Sequence, residues 1–177
     1  MMSLQQFNQA PSVDLETTLK HCVPIQHWAD AIIAQRPFAS VAQLLAYAEQ
    51  QAEIWLWADV EAALAHHPRI GERQPQTANL SQVEHGYSTQ EQALIYQDHG
   101  LGLERLAVTQ QALFTGNQAY EQKFGFIFLI KASGLNQQQV LTALALRLQH
   151  DLDVEKHIVQ QQLKYIALCR LTQELQA

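Results

Sequence analysis

Apolar residues recur at helical spacing along most of this chain, and capping residues and prolines divide the pattern into separate helices. Pro11 and Pro37 act as stops, because the residue before a proline is pushed out of the α region. The pattern predicts a short helix over residues 13–20 and a last helix that opens at Asp153. Three helix starts have a capping residue three positions before a glutamine: Ser3 with Gln6, Ser40 with Gln43, and Asn136 with Gln139.

The longest apolar-periodic stretch opens at Ser40 and must end near His67-Pro68. Residues 68–88 contain glycines and prolines with few large apolar groups, so they form the longest irregular segment. Phe124–Ile130 has the composition of a buried strand, but no other segment offers a strand to pair with it. We therefore interpret it as an extended connection through the core. The predicted fold is all-α, a single-domain helical bundle of about eight helices with one extended apolar connection.

Composition limits the classes of function. The chain has 177 residues, of which 47% are hydrophobic, and no linker rich in Pro, Gly or Ser divides it. A single domain over residues 1–177 is therefore expected. The formal net charge of −6 comes from 17 acidic and 11 basic residues, and the basic residues are scattered. This distribution argues against nucleic acid as a partner.

Membrane association and export are not expected either. The longest uninterrupted apolar run, Phe126–Ile130, is far too short to span a bilayer, and the start of the chain lacks the regions of a signal peptide. Cys22 and Cys169 are the only cysteines, and they lack the Cys-x-x-Cys spacing, so neither a disulfide framework nor a thiolate zinc site is indicated. The sequence predicts a cytoplasmic protein.

Two polar clusters flank the irregular segment, and each has two interpretations. His67 precedes Pro68 near a helix end, where the dipole favours imidazolium and the ring could reach a pocket, although a capping role is the alternative. Ser88 with Glu91 has the spacing of a capping box, which alone would explain both residues. Glu91 at a helix N-terminus would also stay ionised in a site, and Gln92 adds an amide donor and acceptor.

A third cluster surrounds Arg147, which lies in a strongly apolar helix between Leu144 and Leu148. Its guanidinium either pairs with an acid, for which Asp151 is the candidate at i,i+4 spacing, or faces a pocket. An imidazole, a carboxylate and a guanidinium brought together by folding could move a proton and hold an anion. No His-x-x-x-His or Glu-x-x-His pair stands near the clusters, so no metal site is predicted.

Five motifs stand in a fixed order along nearly the whole chain: Arg36-Pro37-Phe38, His67-Pro68-Arg69-Ile70-Gly71-Glu72, Ser88-x-x-Glu91-Gln92, Asn117-x-x-Tyr120-x-x-Lys123-Phe124-Gly125-Phe126, and Arg147-Leu148. In residues and in order they resemble the motifs of the 2-oxo-4-hydroxy-4-carboxy-5-ureidoimidazoline (OHCU) decarboxylases of the urate-to-allantoin pathway. Two departures affect loop shape more than chemistry: Ile127 stands where many members have proline, and residues 69–72 replace the commoner Asp-Leu-Ala-Gly form.

The resemblance implies an all-α, usually dimeric fold that decarboxylates its ureidoimidazoline substrate to (S)-allantoin without a cofactor. A homodimer and a small-molecule substrate are therefore the expected partners. The family's catalytic histidine and glutamate correspond to His67 and Glu91. The family's substrate contacts correspond to Pro68, Ser88, Gln92, Phe128, Leu129, Ile130, Lys131, Ala132 and Arg147.

The alternative function is a non-catalytic all-α interaction module. In that interpretation Trp28, Trp55 and Trp57 face a partner protein, and the polar clusters are helix caps and ion pairs. The two functions predict different effects of mutation, since changing a cap alters stability and changing a catalytic group alters turnover.

Overall fold

The computed structural model describes residues 1–71 and 103–175, with side chains from 107 onward in the second range. Within these ranges the chain forms eight α-helices and no strand, and the only β pairing is an isolated bridge between Met2 and Leu175. The all-α prediction is confirmed. The helices are α1 (Leu4–Gln9), α2 (Ser12–Cys22), α3 (Gln26–Ala34), α4 (Val41–Glu53), α5 (Trp57–Leu64), α6 (Leu103–Phe124), α7 (Gln137–Arg147) and α8 (Leu152–Glu174).

The predicted caps begin three of these helices. Ser3 Oγ accepts from the Gln6 N–H at 3.2 Å, and Gln6 Oε1 accepts from the Ser3 N–H at 2.7 Å, which completes a capping box at α1. Asn136 forms the same reciprocal pair at α7. At α4, Ser40 caps as predicted, but the Gln43 side chain accepts from the Ala39 N–H instead of the Ser40 N–H.

The stretch from Ser40 to His67 was predicted to be one helical run, and this prediction is wrong. The stretch is interrupted between α4 and α5, where Trp55 is 4% exposed while Ile54 and Leu56 are 64% and 69% exposed. The Trp55 ring packs edge-on against Trp28, with centroids 6.1 Å apart. Burial of one large aromatic side chain outweighs continuation of the helical pattern here.

The chain divides into two compact units. Unit 1 contains Met1–Ala63 and Leu163–Ala177, and unit 2 contains Leu64–Gln162. The single-domain prediction stays a prediction. No helix in the described ranges is both long enough and apolar enough to cross a bilayer.

In unit 1, the helices α2, α3 and α4 each have a buried apolar face, which includes Leu19, Ile32 and Leu44 respectively. Trp28 is fully buried, and its Nε1–H donates to the Ala48 carbonyl at 2.8 Å. Trp28 and Trp55 are therefore core residues, and placing them at a partner surface was wrong.

Buried polar groups of unit 1 are paired rather than reactive. Burial raises the pKa of the Cys22 thiol to about 12, so the thiol stays protonated at neutral pH. Burial alone would lower the pKa of Lys164, but its hydrogen bond to Glu53 and the nearby Glu49 carboxylate raise it above the ordinary value. These groups lack the exposure that a nucleophile needs.

In unit 2, α6 and α7 approach closely at Gly116. A Cβ at this position would lie 2.4 Å from Leu144 Cδ2, and Leu144 is itself buried on α7. The segment Phe124–Ile130, predicted to be an extended connection, leaves α6 at Phe124 and runs without helix to α7, with Phe126, Phe128 and Leu129 buried. The missing side chain of Gly116 allows two helices to share one core with this segment.

Gly116→Ala should destabilise the protein even though alanine is the better helix former. Intrinsic propensity favours the change by up to about 1 kcal/mol, but overpacking a buried contact typically costs about 1–3 kcal/mol. Urea unfolding measures the difference. Adding Leu144→Val should recover much of the loss, and Ala112→Ser, at an exposed position of the same helix, is the control, with an expected loss of less than about 0.7 kcal/mol. Higher stability in Gly116→Ala would contradict the close approach.

Candidate active site

His67 lies just beyond the C-terminus of α5. Its backbone N–H donates to the Leu64 carbonyl at 3.0 Å, and its side chain is buried. The predicted position at a helix end is confirmed, and Pro68 then directs the chain away from the helix because it cannot continue it. The imidazole is therefore placed at the start of a turn in unit 2 rather than on a solvated helix surface.

The turn after Pro68 lies along α6. Arg69 forms a two-point ion pair with Glu121, with Nε–Oε1 at 2.5 Å and Nη2–Oε2 at 2.8 Å. The Ile70 carbonyl accepts from Asn117 Nδ2 at 2.9 Å. A cavity of about 560 Å³ adjoins the turn, lined by Arg69, Ile70, Gly71, Phe114, Asn117 and Glu121 among others. His67 is thus attached to a braced turn beside an open space.

The predicted substrate-contact segment, residues 128–132, is held by aromatic packing. Phe128, Leu129 and Ala132 are buried, whereas Lys131 is exposed. The Tyr120 ring lies edge-on to the Phe128 ring at 5.2 Å between centroids. The Lys131 backbone N–H donates to Gln162 Oε1 at 2.8 Å, so this donor of the segment is already used within the protein.

Arg147 belongs to the buried face of α7, which also carries Val140 and Leu144. Its Nη1 donates to the Leu129 carbonyl at 2.6 Å, and its guanidinium carbon lies 4.6 Å from the centroid of the Phe128 ring. The structure therefore brings Arg147 together with two of the predicted substrate-contact residues. Direct contact of Arg147 with substrate stays a prediction.

The acid that pairs with Arg147 is Glu155, not Asp151. Arg147 Nε donates to Glu155 Oε1 at 2.6 Å, and the Glu155 side chain is completely buried. Asp151 lies in the exposed break between α7 and α8. The expected i,i+4 pairing was wrong because that spacing places two residues on one face only within a continuous helix, and α7 ends at Arg147.

Sequence reasoning missed three members of this network: Glu155, Tyr120 and His150. Tyr120 donates its hydroxyl hydrogen to Glu155 and accepts from Arg147 Nη2 at 3.2 Å. Burial raises the Tyr120 pKa above its ordinary value, and the bond to Glu155 adds to this against the opposing Arg147 charge, so the phenol stays neutral. His150 Nδ1 lies 2.9 Å from Glu155 Oε2.

A sequence signal was available for part of the network. Tyr120 belongs to the motif that begins at Asn117, and Glu155 lies in the first turn of α8, where a carboxylate suits the helix dipole. Neither signal identifies a partner, because Tyr120 and Glu155 are 35 residues apart.

Three predicted site residues, Ser88, Glu91 and Gln92, lie outside the described residues, and their roles stay predictions. His67, Pro68, residues 128–132 and Arg147 all belong to unit 2. In the part of the chain that the structure describes, no group of three or more His, Cys, Asp or Glu side chains is arranged to hold a metal ion.

Glu155→Gln should destabilise the protein by roughly 3–5 kcal/mol, because it leaves the buried Arg147 charge without its carboxylate. Asp151→Asn, at the exposed position, should change the free energy of unfolding by less than about 0.5 kcal/mol. Denaturant titrations of both variants provide the comparison. Equal small losses in the two variants would mean that the buried pair contributes little.

Comparisons with known proteins point to the same family that the sequence motifs resemble. The family model "OHCU decarboxylase" matches residues 8–172. The fold is similar to the crystal structure of OHCU decarboxylase in the presence of (S)-allantoin, with 24% identity, a TM-score of 0.68, and coverage of 88% of this chain and 94% of that chain. It is also similar to that of (S)-allantoin synthase, with 17% identity and a TM-score of 0.69.

The second likeness covers 98% of this chain but 54% of the allantoin synthase chain, so this protein spans about half the length of that relative. No curated protein sequence matches the chain. At these identities the two structures establish the fold alone, whereas the family match covers nearly the whole sequence. The chain belongs to the OHCU decarboxylase family, whose enzymes are carbon–carbon lyases.

Proposed function

We propose that this protein decarboxylates OHCU to (S)-allantoin, without a cofactor, in the breakdown of urate. The observation that carries the proposal is the family match over residues 8–172. The buried imidazole of His67, on a braced turn beside a cavity of about 560 Å³, supports it. The alternative as an interaction module is disfavoured, because two of its three tryptophans are buried in the core.

The substrate can supply its own electron sink. The carboxylate leaves as CO₂ from a ring carbon that bears a hydroxyl group and neighbours an imine. The electron pair of the broken C–C bond forms a C=C bond, and the imine nitrogen takes up the displaced pair with a proton. The resulting enol then loses its hydroxyl proton and gains a proton at the adjacent carbon, which gives allantoin. The net change is loss of CO₂ and uptake of one proton by the carboxylate form.

The protein then has to orient the substrate, stabilise developing negative charge and deliver a proton to one face. We assign the proton transfers to His67 and Glu91, which act as a pair on the hydroxyl group and on the new C–H bond. Substrate contacts are assigned to Pro68, Ser88 and Gln92, to the segment 128–132, and to Arg147.

Arg147 has room for only a limited contact with substrate. A guanidinium carries five N–H groups. Its Nε, Nη1 and Nη2 atoms donate to Glu155, Leu129 and Tyr120, and Nη2 also forms an ion pair with Glu155. Arg147 therefore acts on the substrate mainly through the segment 128–132 that it holds.

We further propose that the protein is a homodimer in the cytoplasm. The dimer is supported by the family resemblance. The compartment is supported by the two free cysteines, Cys22 and Cys169, and by a described part of the chain without a membrane-spanning helix. Nucleic acid is not a proposed partner, given the net charge of −6.

The direct test mixes the EDTA-treated protein with freshly generated urate-oxidation product. Circular dichroism should record one enantiomer of allantoin forming faster than by spontaneous decay, because a proton donor fixed on one side of a planar intermediate reaches one face. Absence of any acceleration would remove the proposed function. Activity that returns only after addition of a divalent ion would remove its cofactor-free part, and a racemic early product would mean that the enol is protonated in solvent.

His67→Asn and Glu91→Gln should each lower kcat by roughly 10²–10⁴-fold, since general acid–base groups typically contribute that much. The melting temperature should barely move. The double variant should be little worse than the worse single variant, because both residues act on one step. Capping roles predict the opposite pattern, a stability loss of about 0.5–2 kcal/mol with turnover intact. Near-normal kcat in folded His67→Asn would refute the assigned mechanism.

A further inference from the structure

Three residues on one face of α6 contact three consecutive residues of the turn that follows His67-Pro68. Leu113, Asn117 and Glu121 are spaced four residues apart, so they form a row along the helix. Their partners run in the opposite direction: Glu121 binds Arg69, Asn117 binds the Ile70 carbonyl, and Leu113 packs against Gly71. We call this row the α6 ladder.

The contact between Leu113 and Gly71 in the α6 ladder requires glycine. Gly71 has a φ of +88°, and an added Cβ would lie 3.2 Å from Leu113 Cδ1. A side chain there would be strained by both the backbone conformation and the close neighbour. The turn therefore lies so close to α6 that a larger residue at position 71 would press on Leu113.

The contact between Asn117 and the Ile70 carbonyl is poorly explained by a gain in folding stability. Asn117 is 96% buried, its Nδ2 donates to Ile70, and its Oδ1 has no hydrogen-bond partner among the described residues. Burying an amide with one half unsatisfied is unfavourable. The Arg69–Glu121 ion pair also contributes little to the free energy of folding, because its side chains are 41% and 27% exposed. Such contacts hold a geometry more than they hold the fold.

We infer that the α6 ladder positions His67, and that Asn117 and Glu121 are positioning residues for the proton transfer. The inference rests on the proposed function. The His67 backbone is held on its other side by the Leu64 carbonyl, and the φ of Pro68 is fixed by its ring. With the three following residues tied to one helix, little freedom is left for the backbone that carries the imidazole.

Glu121→Gln is the deciding variant. Gln accepts one Arg69 N–H but turns its own NH₂ towards the other, which breaks the two-point pair. We expect kcat to fall about 10-fold or more with KM within about 2-fold, because small misplacement of a catalytic group has costs of this size. The melting temperature should move by less than about 3 °C. Glu16→Gln, which breaks the exposed Glu16–Lys20 pair, is the matched control and should keep wild-type kcat.

Two further measurements separate positioning from folding. The ring ¹⁵N resonances of His67, assigned by comparison with His67→Asn, should shift in Glu121→Gln and stay in place in Glu16→Gln. Arg69→Glu combined with Glu121→Arg should recover part of the kcat that either single variant loses. Asn117→Ala should lower kcat in the same way if it folds, and Glu121→Gln decides the question if it does not.

Wild-type kcat in folded Glu121→Gln overturns the inference, as does an equal loss of kcat in Glu16→Gln. Both results presuppose an active wild-type protein and leave the proposed function intact. An inactive wild-type protein removes the proposed function itself, and the inference with it. The two failures are therefore distinguishable in one set of assays.

Discussion

A guanidinium buried away from water has to be paired, and unit 2 is organised around one. Arg147 is 6% exposed and meets a carboxylate, Glu155, that is not exposed at all. Removing both charges from water is costly, and the attraction between them repays it only when the geometry is good and the other donors are also used. Tyr120 and the Leu129 carbonyl provide those partners. The requirement to satisfy one buried charge thus ties α6, α7, α8 and the extended segment together.

Helix α6 supports both halves of the candidate site. One face carries the α6 ladder and holds the turn after His67. Tyr120, one residue before Glu121, instead belongs to the Arg147 network, and Gly116 admits Leu144 of α7. The proposed proton-transfer residue and the proposed substrate-contact segment are therefore held by the same rigid element. A site supported in this way needs few polar residues of its own, because its precision comes from the helix behind it.

Local features of the fold were readable from the sequence, and long-range ones were not. The caps at Ser3 and Asn136 depend on residues three positions apart, and the extended connection after Phe124 follows from the lack of a partner strand. The break after α4 depends on Trp55 packing against Trp28, which no periodicity encodes. The partner of Arg147 lies past a helix end, where spacing rules no longer apply. The family motifs include His67 and Arg147, but they carry no information on what holds these residues in place.

The turn that carries His67 also determines when the site can exist during synthesis. The contacts from Ile70 to Asn117 and from Arg69 to Glu121 span 47 and 52 positions. A nascent chain that has produced His67 contains the imidazole but none of the helix that holds it. The geometry can close only after Glu121 has emerged and α6 has formed, and closing so long a loop has an entropic cost that local contacts do not bear. The turn after His67 thus becomes fixed only once residue 121 has been made, although the histidine belongs to the first half of the sequence.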